Sequence, residues 1–285
     1  MKIITTINEL QQTMKVHKKS QQTIGFVPTM GFLHEGHLKL MREARSQNEI
    51  MIISIFVNPL QFGENEDFDS YPRNMERDSQ LAKEAGADYI FAPSVNEMYK
   101  DEPSVTVKVE KRTDVLCGKS RAGHFDGVAT VLTKLFNLVG PDRAYFGMKD
   151  AQQVAVVSGL ISDFHFPVEL VPIQTVREED GLAKSSRNVY LSAEERKQAP
   201  HLYKALQTGR EMMLKGEKST ETVIESVTSY LSAHTDGVID YVEIYSYPEL
   251  KALAELKGEV ILAIAVKFTK ARLIDNITID LNDNE

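Results

Sequence analysis

The stretch IGFVPTMGFLHEGHLKLMREAR, residues 24–45, decides the fold. It opens on a short apolar run, Ile24–Val27, turns through Pro28 to Gly31, and carries Leu38, Met41 and Arg45 along a helix begun near His34. A strand that feeds a helix through a short turn is half of a β-α-β crossover. Apolar runs of strand length recur at Met51–Val57, Tyr89–Ala92, Ala144–Phe146 and Leu170–Val176. Such nearly continuous runs suit strands buried on both faces, as in a parallel sheet. Helical patterns lie between them: a stripe of Val128, Leu132, Leu135, Phe136 and Val139, and the segment Ala151–Phe164. The alternation predicts an α/β domain around a parallel sheet. One segment breaks the order. Val105, Val107 and Val109 alternate with Thr106 and Lys108, which predicts a half-exposed edge strand.

The pattern changes near residue 177. Segment 193–215 reads as one long helix and 219–234 as a second, followed by strand-like runs at 238–246, 259–268 and 272–280. Helices followed by strands predict a smaller C-terminal α+β domain, so the expected domains are 1–176 and 177–285. The balance of 33 Lys and Arg against 41 Asp and Glu gives a net charge of −8. An acidic chain without a basic stripe argues against nucleic-acid and anionic-membrane partners. The single cysteine, Cys117, excludes an intramolecular disulfide and a cysteine-built zinc site, and reads as a small, partly buried thiol. MKIITTINELQQ lacks the apolar core of a secretory signal, and the longest apolar runs, Ile50–Val57 and Val260–Val266, are too short to span a membrane. LNDNE carries no lipidation box, and the expected location is cytoplasmic. The acidic stretch Glu64–Asp69 reads as a solvated loop.

Four constellations carry chemistry. In PTMGFLHEGH, Pro28–His37, a helix start offers unpaired N–H groups and a positive dipole end, which favour phosphate. His34 and His37 are three apart, so their imidazoles share one face and suit triphosphate oxygens; Gly36, without a Cβ, admits a close approach. The alternatives are a pair of satisfied structural histidines and a metal site. HEGH is one residue short of the i, i+4 spacing of a zinc-protease helix. FVNPLQFG, Phe56–Gly63, lies at the carboxyl end of a strand, where open α/β sheets bind ligands. Its Asn58 and Gln61 are uncharged and suit hydroxyls and a carboxylate that must stay nucleophilic. Turn chemistry around Asn58–Pro59 is the structural alternative. In AYFGMKDAQQ, Ala144–Gln153, Lys149 suits phosphate and Asp150 either caps a helix or meets a ribose; only one of Gln152 and Gln153 is expected to reach a ligand. In DGLAKSSRNVYLS, Asp180–Ser192, Lys184, Ser185, Ser186 and Arg187 form a candidate closing loop, or a solvated basic loop with Ser192 capping the next helix. HFDGV with His124, YPR at Tyr71–Arg73 and the segment Arg272–Asn276 are weaker signals.

Taken together these segments, in this order from Pro28 to Asn276, resemble the AMP-forming pantoate–β-alanine ligases. The resemblance implies a Rossmann-like nucleotidyltransferase domain, a homodimer, and ATP used with Mg²⁺ held mainly by its phosphates rather than by protein ligands. It implies that the carboxylate of (R)-pantoate attacks the α-phosphorus, and that the amine of β-alanine then attacks the adenylate. It assigns ATP to Met30, Gly31, Phe32, Leu33, His34, Glu35, Gly36 and His37, to Gly147, Met148, Lys149 and Asp150, to Val176, and to Lys184, Ser185, Ser186 and Arg187. His37 takes the role of proton donor. Gln61 and Gln153 serve pantoate and β-alanine, with Asn58 and His124 as weaker candidates. The expected catalytic set is His34, His37, Lys149, Ser186 and Arg187. Two rivals stand beside this reading. One is an adenylyltransferase with a phosphorylated acceptor, which would want further cations. The other is a nucleotide- or RNA-binding module without turnover.

Overall fold

The computed structural model describes residues 1–63, 68–100 and 103–282. Glu64–Asp67, most of the expected acidic loop, lie outside the described residues. The elements in order are β1 (Lys2–Ile4), α1 (Ile7–Lys19), β2 (Ile24–Thr29), α2 (Glu35–Gln47), β3 (Ile50–Ile55), α3 (Met75–Glu84), β4 (Tyr89–Phe91), α4 (Val95–Met98), α5 (His124–Val139), β5 (Arg143–Gly147), α6 (Ala151–Asp163) and β6 (Glu169–Ile173). After them come α7 (Ala193–Gln198), α8 (His201–Leu214), α9 (Thr220–His234), β7 (Val238–Ser246), β8 (Glu259–Lys267) and β9 (Arg272–Asp280).

The first six strands form one sheet in the order β1-β4-β3-β2-β5-β6, with parallel pairing throughout. All six residues of β3 are buried, as an interior parallel strand requires. Both faces of the sheet are covered. Val27, Met51, Ile53 and Ile90 pack with Leu40, Met41 and Ala44 of α2 and Ala82 of α3. On the other face Phe26 meets Phe136 of α5 edge to face, with ring centroids 6.5 Å apart. The chain moves outward from β2 to β3 and β4, then returns to the other side of β2 for β5. The reversal between β2 and β5 is a topological switch point, the place where open α/β sheets bind their ligands.

The second sheet is antiparallel, β7-β8-β9, with Val260–Val266 of β8 buried throughout. Leu202, Leu206 and Met213 of α8 and Val223, Val227 and Leu231 of α9 pack with Val242, Leu262, Ile264 and Leu273 of this sheet. Gly209 makes that approach possible. A Cβ there would lie 2.6 Å from Leu262 Cδ2 and 2.9 Å from Val227 Cγ2.

The chain divides into two compact units. One holds Met1–Thr113, Gly118–Gly147 and Val156–Ile173; the other holds Asp114–Cys117, Met148–Ala155 and Gln174–Glu285. The last crossing from the first unit to the second falls between residues 173 and 174.

Two local expectations fail. Val105–Val109 is not a strand: Val105 is 78% exposed, and the Val109 amide donates to Asp126 Oδ1 at 2.8 Å instead of to a neighbouring backbone. Alternation alone cannot supply a partner strand. The edges of the sheet are β1 and β6. The segment 193–215 is two helices, not one. Pro200 has no N–H to continue α7 and stands at the N-cap of α8.

Candidate functional site

The residues gathered at the carboxyl end of β2 begin with Thr29. Its hydroxyl donates to Ser54 O at 2.7 Å and accepts the Gly31 amide at 3.1 Å. Gly31 (φ +84) and Phe32 (φ +49) then turn the chain into α2. His34 is the N-cap rather than a helical residue. Its Nδ1 accepts the Gly36 amide at 3.1 Å, while His37 Nδ1 accepts the His34 amide at 3.3 Å. This is a capping box in which two imidazoles take the usual roles of Ser and Glu. The bonds fix the tautomers. A ring nitrogen that accepts carries no proton, so each neutral ring bears its hydrogen on Nε2. The two rings lie 4.1 Å apart at the helix start and present donors rather than lone pairs. The space left by the missing Gly36 Cβ holds the His34 ring. A Cβ there would lie 2.8 Å from His34 Cε1.

Asn58 and Gln61 follow β3. Asn58 is fully buried and caps the turn Pro59–Gln61. Its Nδ2 donates to Gln61 Oε1 at 3.1 Å and to Gly127 O at 3.0 Å, and its Oδ1 accepts Tyr99 Oη at 2.9 Å. Burial pushes the Tyr99 phenol well above its ordinary pKa and keeps it a donor. Asn58 is therefore committed to the scaffold. Gln61 Oε1 accepts from Asn58, which orients the amide so that its Nε2–H groups are the donors it has for a ligand. His124 Nδ1 lies 2.7 Å from Gln61 O, and Arg121 spans His124 Nε2 (3.0 Å) and Gln61 O (3.3 Å). Since Arg121 can only donate, His124 Nε2 accepts and Nδ1–H donates to Gln61 O. Gly127 brings α5 against this turn: a Cβ there would lie 2.1 Å from Leu60 O. Sequence reading passed over Tyr99 and Arg121.

In the second unit, Lys149 lies in the turn that opens α6, its side chain 19% exposed and 3.8 Å from the Asp150 carboxylate. Asn276 Nδ2 donates to Met148 O (3.0 Å) and Lys149 O (2.8 Å), fixing that backbone. Its neighbour Asp275 is 3% exposed and receives both terminal nitrogens of Arg177, at 2.6 and 3.0 Å. Burial nevertheless raises the Asp275 pKa against the pull of Arg177 and Lys149. The Arg177 guanidinium also stacks 3.6 Å over Tyr203. Asp275 stood in the segment Arg272–Asn276, but nothing in its spacing joined it to Arg177.

Val176 O accepts the Lys184 amide at 2.9 Å, and Lys184 Nζ lies 3.8 Å from Glu178. Ser185 caps the turn Ser186–Tyr190 by accepting the Arg187 amide at 3.3 Å. Ser192 caps α7. Gln152 is buried and donates to Val115 O at 2.8 Å, whereas Gln153 is half-buried. Cys117 is partly buried, its sulfur 3.3 Å from Tyr241 Oη and 3.4 Å from Arg272 Nη1. No cluster of three or more His, Cys, Asp or Glu fit for a metal exists among the described residues. None of the described helices is long and apolar enough to cross a membrane.

A parallel sheet with a switch point beside β2, and a helix start there that presents two imidazole donors, define a nucleotide-handling α/β enzyme. The comparisons give the family. The model of the pantoate-beta-alanine ligase family matches residues 2–278, and the chain belongs to that family. It is 63% identical over 281 residues to a pantothenate synthetase of Geobacillus sp. (strain WCH70), covering 99% of this chain and 100% of the relative. It is 62% identical over 285 residues to that of Bacillus subtilis (strain 168), covering 100% and 99%. The pantothenate synthetase structure from Thermus thermophilus superposes with a TM-score of 0.92 at 46% identity, over 99% of this chain and 100% of that one. A pantoate-beta-alanine ligase from Francisella tularensis, complexed with beta-gamma ATP and beta-alanine, superposes at 0.78 with 32% identity, over 97% of each chain.

Proposed function

We propose that this ligase condenses (R)-pantoate with β-alanine through a pantoyl adenylate. The carboxylate of pantoate attacks the α-phosphorus of ATP and expels pyrophosphate. The amine of β-alanine then attacks the acyl carbon, and AMP leaves with the electron pair of the cleaved acyl–oxygen bond. The observation that carries the reading is the imidazole capping box, which turns His34 Nε2–H and His37 Nε2–H into fixed donors at a helix start. Donors held in place before reaction stabilise developing phosphoryl charge without reorganisation, by about 2.7–4 kcal/mol each on the analogy of oxyanion holes. Lys149, Ser186 and Arg187 are further groups we assign to the ATP phosphates, and His37 is the group we assign as proton donor. The Gln61 N–H donors orient the pantoate carboxylate without neutralising it, as a cation would. Gln153 is assigned to pantoate. His124 acts on Gln61 through its backbone oxygen.

The donor set at the helix start is imidazole N–H, which repels a cation. It does not fit Mg²⁺, so the metal travels with the nucleotide and has no protein ligand there. We further propose a homodimer in the cytoplasm and a functional division at 176/177.

The testing experiment is pantoate-dependent ATP–pyrophosphate exchange with Mg²⁺ and without β-alanine. Exchange that requires pantoate supports the adenylate. No exchange, with AMP formed once β-alanine is added, replaces it with a concerted step. Neither product overturns the reading.

A further inference from the structure

We infer that Asp78, assisted by Arg77, is a positioning residue for the nucleotide motif: the pair locks the Gly31–Leu33 turn that delivers His34 to the start of α2. The inference rests on the ATP role proposed above for His34 and His37. Asp78 lies on α3, 1% exposed, and each of its carboxylate oxygens accepts one backbone amide of the turn. Oδ2 takes Phe32 N at 2.7 Å and Oδ1 takes Leu33 N at 2.8 Å. Arg77 completes the hold. Its Nη1 donates to Leu33 O at 2.8 Å, lies 3.6 Å from Asp78 Oδ1, and its guanidinium carbon sits 5.4 Å from the Phe32 ring centroid.

Two consecutive amides and the Leu33 carbonyl are thus bound by two adjacent side chains of one helix. The turn needs such a hold because Phe32, a residue with a Cβ, is at φ +49, where L side chains are strained. A buried carboxylate is a costly way to fill space, and an apolar side chain would fill it more cheaply. What the carboxylate adds is direction: two charge-assisted bonds of defined geometry to consecutive amides. Those two amides are thereby withdrawn from any ligand.

The test compares the wild type with Asp78→Asn and with Arg77→Ala. Asn has one acceptor oxygen and turns an NH₂ toward the second amide. Asp78→Asn is expected to raise KM for ATP and lower the exchange rate by about tenfold or more, with KM for pantoate changed by less than about twofold. Amide hydrogen exchange at Phe32 and Leu33 speeds up in the same variant. Wild-type ATP constants and amide protection in Asp78→Asn overturn the proposal. So does an equal loss for ATP and pantoate, the mark of general loosening. If Asp78→Asn does not fold, Arg77→Ala decides. Its side chain is 45% exposed, and an unchanged KM for ATP in that folded variant refutes the clamp. A wild type without exchange defeats the functional reading, and amide protection at Phe32 and Leu33 then decides the clamp alone.

Discussion

Gly36→Ala separates the chemical from the structural role of the helix start. Gly36 is the second residue of α2, where Ala is favoured over Gly by about 0.5–1 kcal/mol. The added Cβ would sit 2.8 Å from His34 Cε1 and 3.0 Å from His34 Nδ1, inside the ring's contact distance. The ring must swing away, which breaks the bond from the Gly36 amide and the capping it provides, at a cost of about 0.5–2 kcal/mol. The two effects oppose each other, so net stability lies between a gain of about 0.5 kcal/mol and a loss of about 1.5 kcal/mol. The chemical effect has no such offset. Losing one preorganised donor at about 2.7–4 kcal/mol lowers the rate by about 10²–10³-fold. The assay is ATP–pyrophosphate exchange beside thermal unfolding, with His34→Ala and the double variant closing a cycle. Gly36→Ala should be folded and slow, and the double variant no slower than His34→Ala. A folded Gly36→Ala with an unchanged exchange rate refutes the reasoning.

Further outcomes follow from packing and charge. Gly127→Ala drives a Cβ into Leu60 O at 2.1 Å, against backbone that cannot give way cheaply, and should destabilise by about 1–3 kcal/mol while raising KM for pantoate through Gln61; urea unfolding and pantoate kinetics check both. Asp275→Ala leaves Arg177 unpaired and should cost about 3–5 kcal/mol in denaturant unfolding, since breaking a buried pair strands the remaining charge. Glu195 accepts Ser192 N and Thr269 N, which hold its carboxyl down at about 2. Its contribution is present above the ordinary value of 4.5 and is lost as pH falls toward about 2. The Tm gap between wild type and Glu195→Gln should therefore narrow on acidification from about pH 6 to about pH 2. A gap that widens contradicts the assignment.

The interior strands were legible because they are buried on both faces and so read as nearly continuous apolar runs, as in Ile50–Ile55, broken only by Ser54. Periodicity likewise revealed α5, whose stripe residues Val128, Leu132, Leu135, Phe136 and Val139 are all buried. The strand β1 escaped notice because three residues, Lys2–Ile4, carry no period. The break at Pro200 was written in the sequence and overridden by the helical composition around it.

The sequence by itself determined which groups are present and where local chemistry puts them: two histidines beside a strand end, Gln61 after another, and Lys149 after a Gly turn. It also identified the family, because long motifs in fixed order depend on sequence alone. Tertiary structure alone decided what those groups are committed to. Asn58, a candidate ligand by residue type, is fully buried and bonded to Gln61, Gly127 and Tyr99. Val105–Val109 alternates like a strand and has no ladder to join. Asp78 meets Phe32 across 46 residues, and Arg177 meets Asp275 across 98. Alternation, spacing and residue type are properties of a few neighbouring positions. A hydrogen bond between distant residues forms only when the packed core brings its two ends together, so no local pattern can announce it.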